Sequence, residues 1–519
     1  MQRRGVRLVA AAALMGSALL HVQGAAAASD AERDGFVTSF DGTKIVYAFF
    51  PAPGLEPGAT APTVMMGPGY GSAHAKASDT SVVALRAAGY NVLTWDPRGF
   101  GDSGGNVETD SPLFEGRDAQ KLIDLIAVQP EARLDRPGDP RLGMIGGSYG
   151  GGIQLVLAAL DKRVDVIAPQ IAWHSLVSSL DKNGIVKGGW GSLLYGIGAG
   201  MSATAGLQGG PAGPQVGRMQ DPVTLAATRD GLTTGHFTAA EQAYFGARGP
   251  DALLSLIHVP VLLSEGTNDT LFTLREAIEN YAALKKTGAP VKMIWFCGGL
   301  TDPSQAHGVC NTSLGQDPAI VLHQSLQWLD RYLKGNRSVD TGPAFRWLSD
   351  TGVLHLAPDY PVPVGAPLTG QGAGTLVVPA GDTSGAAIEA QKAANALNIA
   401  LDKPAAGTQL LGEPTLSLSY SGTAAMSDGV VYAQLVDNAS GLVLGNQVTP
   451  VPVRLDGSAH TITLPLEAVA IDAVAGSSYT LQIVGGTSVY FGARQPLSMT
   501  LSRATISVPT VRGTAPPVR

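Results

Sequence analysis

The sequence predicts an α/β protein in which a parallel sheet with crossover helices is followed by an all-β region. From Phe36 to about Gly335, β-branched apolar runs alternate with helical patterns. After Gly335 the chain changes to short alternating runs that are separated by turn residues. The length of 519 residues also exceeds what one hydrophobic core usually serves, so two or three domains are expected.

The first region begins with a predicted hairpin, because Phe36–Phe40 and Lys44–Phe50 flank the turn pair Asp41-Gly42. Six further strands are predicted at Thr63–Met66, Asn91–Trp95, Leu142–Ile145, Asp165–Ile171, Val259–Leu263 and Val291–Phe296. Helices are predicted near Thr80–Ala88, Phe114–Val128, Gly152–Leu160, Leu274–Lys286 and Ile320–Leu333. Helices in these places are what a doubly wound sheet requires.

One crossover is too long for a tight unit, since about 85 residues separate Trp173 from Val259. We interpret residues 174–257 as an inserted cap that is partly helical and mobile, with a helix at Ala239–Ala247. Such a cap would line a substrate pocket. Three carboxylates in it, Asp181, Asp221 and Glu241, are candidates for holding a substrate amine.

The remainder of the chain predicts a β-sandwich over residues 341–512, after a first domain over residues 29–340. Representative strand patterns are Pro414–Tyr420, Val430–Leu435, Thr461–Leu464 and Ser478–Ile483. Residues 513–519 are expected to be a disordered tail.

The first 28 residues are typical of a signal peptide. Arg3, Arg4 and Arg7 precede an apolar run that ends at Leu20, and a small-residue stretch permits cleavage after Ala27 or Ala28. We therefore expect a secreted or periplasmic protein with no membrane span after cleavage, while the general and twin-arginine export routes both stay open.

The formal charge limits the classes of molecule that the protein is expected to bind, and the cysteine content allows one disulfide. Loss of the three arginines takes the formal charge from −7 to −10, and an acidic surface argues against nucleic acid. Cys297 and Cys310 are the two cysteines, and export to an oxidising compartment makes a disulfide between them plausible.

The motif around Ser148, Gly146-Gly147-Ser148-Tyr149-Gly150, matches G-x-S-x-G and stands between a predicted strand and a predicted helix. That setting exposes a serine hydroxyl on a strained turn in the α/β-hydrolase fold. Ser148 is therefore the predicted nucleophile.

A serine nucleophile needs a base and an acid, which in this fold follow it in the order acid then histidine. Asp269 lies on the loop after Val259–Leu263, and His307 lies on the loop after Val291–Phe296. Glu265 is a rival for the acid, whereas Asp302 is interpreted as a loop residue.

Backbone donors for an oxyanion are expected from the amide of Tyr149 and from the loop that carries Tyr70. The Tyr70 phenol is a second possible donor. His74 is interpreted as a surface residue near this loop, and Asp96 and Arg98 are interpreted as structural.

Several motifs together resemble the X-prolyl dipeptidyl-peptidase and cocaine-esterase group of α/β-hydrolases. They are D-P-R-G-F-G-D-S-G at 96–104, G-G-S-Y-G-G at 146–151, G-T-N-D-T-L-F at 266–272, His307-Gly308 and W-L-D-R-Y-L-K-G at 328–335. The resemblance implies a triad of Ser148, Asp269 and His307, an oxyanion role for the Tyr70 side chain, and a jelly-roll C-terminal domain. Gly69 separates Pro68 from Tyr70, which departs from the usual pattern of that group.

The functional hypothesis is a serine hydrolase that cleaves an ester or a peptide or amide bond of a small-molecule or peptide substrate through an acyl-enzyme. No metal or organic cofactor is implied. The alternatives are a carboxylic-ester hydrolase without peptidase activity and a non-catalytic exported binding protein. The sequence does not choose between ester and Xaa-Pro substrates, and it leaves the oligomeric state open.

Overall fold

The structure, a computed structural model, describes residues 32–204, 206–207, 209–298, 317–379, 389–490 and 493–511. The predicted signal peptide and tail lie outside the described residues. Residues 33–170 form β1 (Arg33–Thr38), β2 (Lys44–Phe50), β3 (Thr63–Met66), α1 (Thr80–Ala87), β4 (Asn91–Trp95), α2 (Glu115–Ile126), β5 (Leu134–Arg136), β6 (Asp139–Pro140), β7 (Leu142–Gly147), α3 (Tyr149–Leu160) and β8 (Val164–Gln170).

The inserted cap is helical with one short hairpin. Its elements are α4 (Leu176–Leu180), β9 (Asp181–Lys182), β10 (Ile185–Val186), α5 (Gly188–Thr204), α6 (Pro222–Thr233) and α7 (Ala239–Gly246). The 17-residue helix α5 was not predicted, because its sequence is rich in glycine and each glycine disfavours a helix by about 1 kcal/mol relative to alanine. Packing explains the helix: a Cβ on Gly198 would lie 2.4 Å from the Tyr70 hydroxyl oxygen, so only glycine permits this close approach.

The chain then returns to the sheet through a 3-10 turn at Leu254–Leu256. The elements that follow are β11 (Val261–Gly266), α8 (Leu274–Lys285), β12 (Val291–Phe296), α9 (Asp317–Tyr332), β13 (Phe345–Leu348) and β14 (Leu354–Ala357). No helix among the described residues is both long and apolar enough to traverse a bilayer.

Ten strands form the main sheet in the order β1-β2-β4-β3-β7-β8-β11-β12-β13-β14. The strands from β4 to β13 in this order run parallel, whereas β1, β2 and β14 add antiparallel edges. All eight predicted strands and all five predicted helices are present, with small shifts at their ends. The parallel arrangement brings the loops that follow β3, β7, β11 and β12 to one edge, which is where this fold places its chemistry.

The last two strands of the sheet follow residue 340, where the sequence analysis placed the domain boundary. Phe345 and Trp347 on β13 are buried, and the Phe345 ring meets Trp295 of β12 with 5.0 Å between ring centroids. This aromatic contact covers the edge of β12. In the structure the sheet therefore extends to Ala357, beyond the predicted boundary.

The C-terminal part is an all-antiparallel β-sandwich. Its strands are β15 (Leu368–Val378), β16 (Ala396–Ala400), β17 (Gln409–Gly412), β18 (Thr415–Asp437), β19 (Val443–Asp456), β20 (His460–Pro465), β21 (Val469–Asp472), β22 (Tyr479–Val484) and β23 (Leu497–Val508). The 23-residue strand β18 pairs with β19, β20, β22 and β23, so it organises most of the sandwich. A β-sandwich after the α/β region is what the sequence predicted, and the jelly-roll topology stays a prediction.

A buried carboxylate joins the sandwich to the rest of the molecule. Glu467 of the sandwich forms an ion pair with Lys182 of the cap hairpin (2.8 Å), and it accepts a hydrogen bond from Thr273 at the start of α8 (2.7 Å). Burial tends to raise the pKa of Glu467, but Lys182 and Lys187 outweigh it and hold the pKa below its usual value. The cap hairpin and the start of α8 therefore both bind one buried carboxylate of the sandwich.

We predict that Glu467→Ala lowers the free energy of unfolding by about 3 to 5 kcal/mol, because it leaves Lys182 buried without its partner. Asp124→Ala is the control, since it breaks only exposed or half-exposed ion pairs with Lys121 and Arg163 and should cost about 1 kcal/mol or less. Denaturant titration measures both. Equal losses in the two variants would show that Glu467 does not fasten the sandwich.

Candidate active site

Ser148 lies at the sharp turn between β7 and α3. Its backbone has φ 55° and ψ −120°, a conformation that residues with a side chain rarely adopt. The Ser148 amide donates to the Gln170 carbonyl (2.9 Å), while the Ser148 carbonyl accepts from the amides of Gly151 (2.8 Å) and Gly152 (2.9 Å). These bonds hold the strained turn that the strand, motif and helix pattern predicted.

Glycines around Ser148 allow the turn to pack against the loop after β3. A Cβ on Gly150 would lie 2.2 Å from the Gly67 carbonyl oxygen, and one on Gly146 would lie 2.8 Å from the same atom. Neither clash can be relieved by moving a side chain, because the obstacle is backbone. The motif therefore requires its two glycines for close approach, as expected.

The predicted acid, Asp269, is fully buried on the loop after β11. Its Oδ1 accepts hydrogen bonds from the amides of Leu271 (2.9 Å) and Phe272 (2.8 Å). The rival, Glu265, lies inside β11, where burial and the nearby charge of Asp269 raise its pKa well above the usual value. Burial and the charge of Asp269 thus both favour the neutral form of Glu265.

The loop that carries Asp269 is held by the cap and by the sandwich. The Lys187 ammonium donates to the carbonyls of Thr270 (2.7 Å) and Leu271 (3.0 Å), and Trp190 Nε1 donates to Thr270 Oγ1 (2.9 Å). From the sandwich, Gln447 Nε2 donates to the Asp269 carbonyl (2.8 Å). Sequence reasoning missed these partners. The one signal was Lys187 itself, a lone cation in an otherwise apolar segment.

The two tyrosines expected at the oxyanion site meet beside Ser148. The rings of Tyr70 and Tyr149 contact edge to face, with centroids 5.4 Å apart. The Tyr70 hydroxyl donates to Gln220 Oε1 in the cap (2.9 Å). Burial raises the pKa of Tyr70, so its phenol stays protonated and able to donate. Tyr149 is the first residue of α3, directly after Ser148, and the role of its amide as an oxyanion donor stays a prediction.

The Tyr149 phenol points to a buried carboxylate that the sequence analysis did not single out. It donates to Glu115 Oε1 (3.2 Å) and accepts from the Asp110 amide (3.0 Å). Burial and the neighbouring Asp118 raise the pKa of Glu115 to about 8. These contacts fix the Tyr149 side chain below the turn, which leaves its amide for the site.

His307, Asp302 and Cys310 lie outside the described residues. The described start of their loop runs beside the Asp269 loop: the Thr267 amide donates to the Phe296 carbonyl (2.9 Å), and the Asn268 amide donates to the Gly298 carbonyl (3.0 Å). Cys297 is buried next to Leu348. The role of His307 as the base and the disulfide between Cys297 and Cys310 stay predictions.

His74 was interpreted as a surface residue, and this is wrong. Its ring Nδ1 and its amide both bind Asp96 Oδ1, at 2.7 and 2.6 Å, and the side chain is buried. Arg98 forms a two-pronged bond with Asp118, with both N···O distances 2.7 Å. Asp96 and Arg98 thus have structural partners, as expected. The hydrogen bonds to the Asp96 carboxylate stabilise His74 in its buried position.

A cavity with about 830 Å³ of empty space opens beside Ser148. Tyr70 and Tyr149 line it together with Ser148, and helices α5, α6 and α7 of the cap supply much of its wall. The structure thus brings the predicted nucleophile and both predicted oxyanion residues to one cavity under the cap.

Comparison with protein families finds that residues 41–299 match the model of the X-Pro dipeptidyl-peptidase (S15) family. An uncharacterized protein of Pseudomonas aeruginosa is 29% identical over 107 residues, which cover 20% of this chain and 28% of that protein. The aligned segment therefore spans less than a third of the curated relative.

Several solved structures share the fold over almost the whole chain. A CocE/NonD family hydrolase from Staphylococcus aureus has a TM-score of 0.63 at 15% identity and covers 92% of this chain and 93% of its own. An aminopeptidase from a marine sediment Thaumarchaeota archaeon has a TM-score of 0.68 at 14% identity, with 96% and 99% covered. An alpha-amino acid ester hydrolase has a TM-score of 0.66 at 15% identity, with 94% and 98% covered.

The strained conformation of Ser148 predicts an unusual order of stabilities. Ser148→Gly should be more stable than Ser148→Ala by about 1 kcal/mol, because glycine adopts this backbone conformation without steric cost. Denaturant titration of the two variants tests this in the absence of any substrate. An alanine variant as stable as the glycine variant would show that the turn stores no strain.

Proposed function

The chain belongs to the X-Pro dipeptidyl-peptidase (S15) family through residues 41–299, and from this premise we propose that it is an exported serine hydrolase whose triad is Ser148, His307 and Asp269. The observation that carries the proposal is the position of Ser148, on a strained turn at the wall of a cavity that Tyr70 and Tyr149 also line. A turn of this kind presents a serine hydroxyl to substrate.

The proposed reaction is acyl transfer to water. Ser148 Oγ attacks the carbonyl carbon of an ester or amide while His307 accepts its proton, and His307 then returns the proton to the leaving alcohol or amine. Water attacks the acyl-enzyme in the second half and releases the acid. Asp269 holds the imidazole, and the two amide hydrogen bonds that its Oδ1 accepts support its assignment as the anionic member.

Two donors are proposed for the oxyanion. The Tyr149 amide follows the nucleophile directly, and the Tyr70 hydroxyl is kept neutral by its burial. In the structure this hydroxyl binds Gln220, so donation to substrate requires it to change partners. The cap residue Gln220 therefore sets where the Tyr70 hydroxyl rests.

We predict that a fluorophosphonate probe labels the mature protein at Ser148 and that Ser148→Ala abolishes labelling and lowers turnover by several orders of magnitude. Ser192→Ala is the matched control, since Ser192 lines the same cavity but lies on α5. The intact mass of labelled protein recovered outside the cytoplasm checks export, and cleavage after Ala27 or Ala28 is expected. Labelling that survives in Ser148→Ala would refute the triad.

A second prediction concerns the Tyr70 hydroxyl. Gly198→Ala places a methyl group 2.4 Å from the Tyr70 oxygen and 2.7 Å from Gln220 Nε2, so both side chains or the helix must move. A shift of about 1 Å at a catalytic group costs on the order of a hundredfold in kcat. Gly200→Ala, where a Cβ meets nothing within 4 Å, should leave kcat unchanged. Similar kinetics in both variants would contradict a role for the Tyr70 side chain.

A further inference from the structure

The wall of the active-site cavity is mainly aliphatic and aromatic. It includes Trp173, Leu176, Leu180, Phe245, Leu271 and Phe272. Trp173 and Phe272 contact each other with 5.1 Å between ring centroids. Such a wall stabilises an apolar group in proportion to the surface that the group buries.

The charged side chain among the described lining residues is Lys187. Burial lowers the pKa of this ammonium to about 8, so the group is mainly cationic at neutral pH. Two of its three N–H bonds go to the carbonyls of Thr270 and Leu271. The ammonium is therefore held against the Asp269 loop, and the stem of Lys187 lines the cavity.

The three cap carboxylates that the sequence offered for a substrate amine do not line the cavity. Asp221 accepts from the Val223 amide (2.8 Å) as the N-cap of α6, and Glu241 accepts from the Thr238 amide (2.7 Å) in the capping box of α7. Asp181 accepts from Gln242 Nε2 (3.1 Å). Asp221 and Glu241 thus cap helices, Asp181 binds Gln242 through one oxygen while its other oxygen is buried without a hydrogen bond, and none of the three lines the cavity.

We propose that the substrate carries an apolar, uncharged acyl group and no free amine next to the reacting carbonyl, so that the protein hydrolyses esters or amides of apolar carboxylic acids. The inference rests on the proposed function of Ser148. The nitrogen of an α-ammonium lies two bonds from the carbonyl carbon. When that carbon is at Ser148, the ammonium therefore lies in the cavity, whichever way the remainder of the substrate is oriented. There it meets an apolar wall, and a buried unpaired charge of either sign is costly.

Three ethyl esters of one shape test the proposal with the full-length mature protein. Ethyl 2-methyl-3-phenylpropanoate carries a methyl group at the α-carbon, phenylalanine ethyl ester carries an ammonium there, and the monoethyl ester of benzylmalonic acid carries a carboxylate. Near pH 6.5 the amine is largely protonated. We expect kcat/KM for the neutral ester to exceed that for the ammonium ester by about a hundredfold, and the carboxylate ester to be slower than the neutral one.

A charge placed in the cavity provides the second test. Thr228 lines the cavity from α6, and aspartate and asparagine at this position have nearly the same shape. Thr228→Asp should lower the ratio of neutral to ammonium ester by about tenfold relative to Thr228→Asn. Circular dichroism confirms that both variants fold. Equal ratios in the two variants would overturn the placement of the acyl group in this cavity.

The outcomes separate the inference from the function on which it rests. If the probe labels Ser148 and the ammonium or carboxylate ester is turned over as fast as the neutral ester, the specificity proposal is wrong and the hydrolase assignment stands. If the probe fails to label Ser148 and no ester is hydrolysed, the proposed function falls and the inference falls with it. A neutral ester preferred by about a hundredfold supports both.

Discussion

The close approach of two backbone segments at the edge of the sheet is the constraint from which the rest of the site follows. The loop after β3 and the first turn of α3 are so near that a Cβ on Gly150 would lie 2.2 Å from the Gly67 carbonyl oxygen. Ser148, two residues before Gly150, has a positive φ at the same turn. The Tyr70 ring also contacts the Tyr149 ring, so the proposed nucleophile lies with both proposed oxyanion residues.

The cap and the sandwich both contribute to the geometry around the candidate acid. Lys187 and Trp190 bind the Asp269 loop from the cap, and Gln447 binds it from the sandwich. The ion pair between Glu467 and Lys182 joins the same two parts below that loop. An acid fixed from two sides keeps its orientation, which is the requirement for a residue that orients a base. The sandwich is therefore part of the site's support and not only an attached domain.

Periodicity and turn chemistry were enough to predict the strands and helices of the α/β region and the turn at Ser148, because these are local features. Local patterns failed to predict features that depend on contacts between residues far apart in the sequence. Helix α5 forms in spite of its glycines since Gly198 packs on Tyr70, and His74 is buried because Asp96 binds it. Gln447 and Asp269 lie 178 positions apart in sequence, and no local pattern connects them.

Lys187 contacts both the cavity and the loop that carries the proposed acid, Asp269. Its stem lines the cavity, while its ammonium binds two carbonyls of the Asp269 loop. A cation is suited to this place because it can satisfy carbonyls that are buried, and a buried unpaired carbonyl is costly. The same charge then disfavours a second cation in the cavity. In the proposed specificity, support of the Asp269 loop and exclusion of a substrate amine are thus two consequences of one buried lysine, so a change of specificity toward amines requires another way to hold the proposed acid.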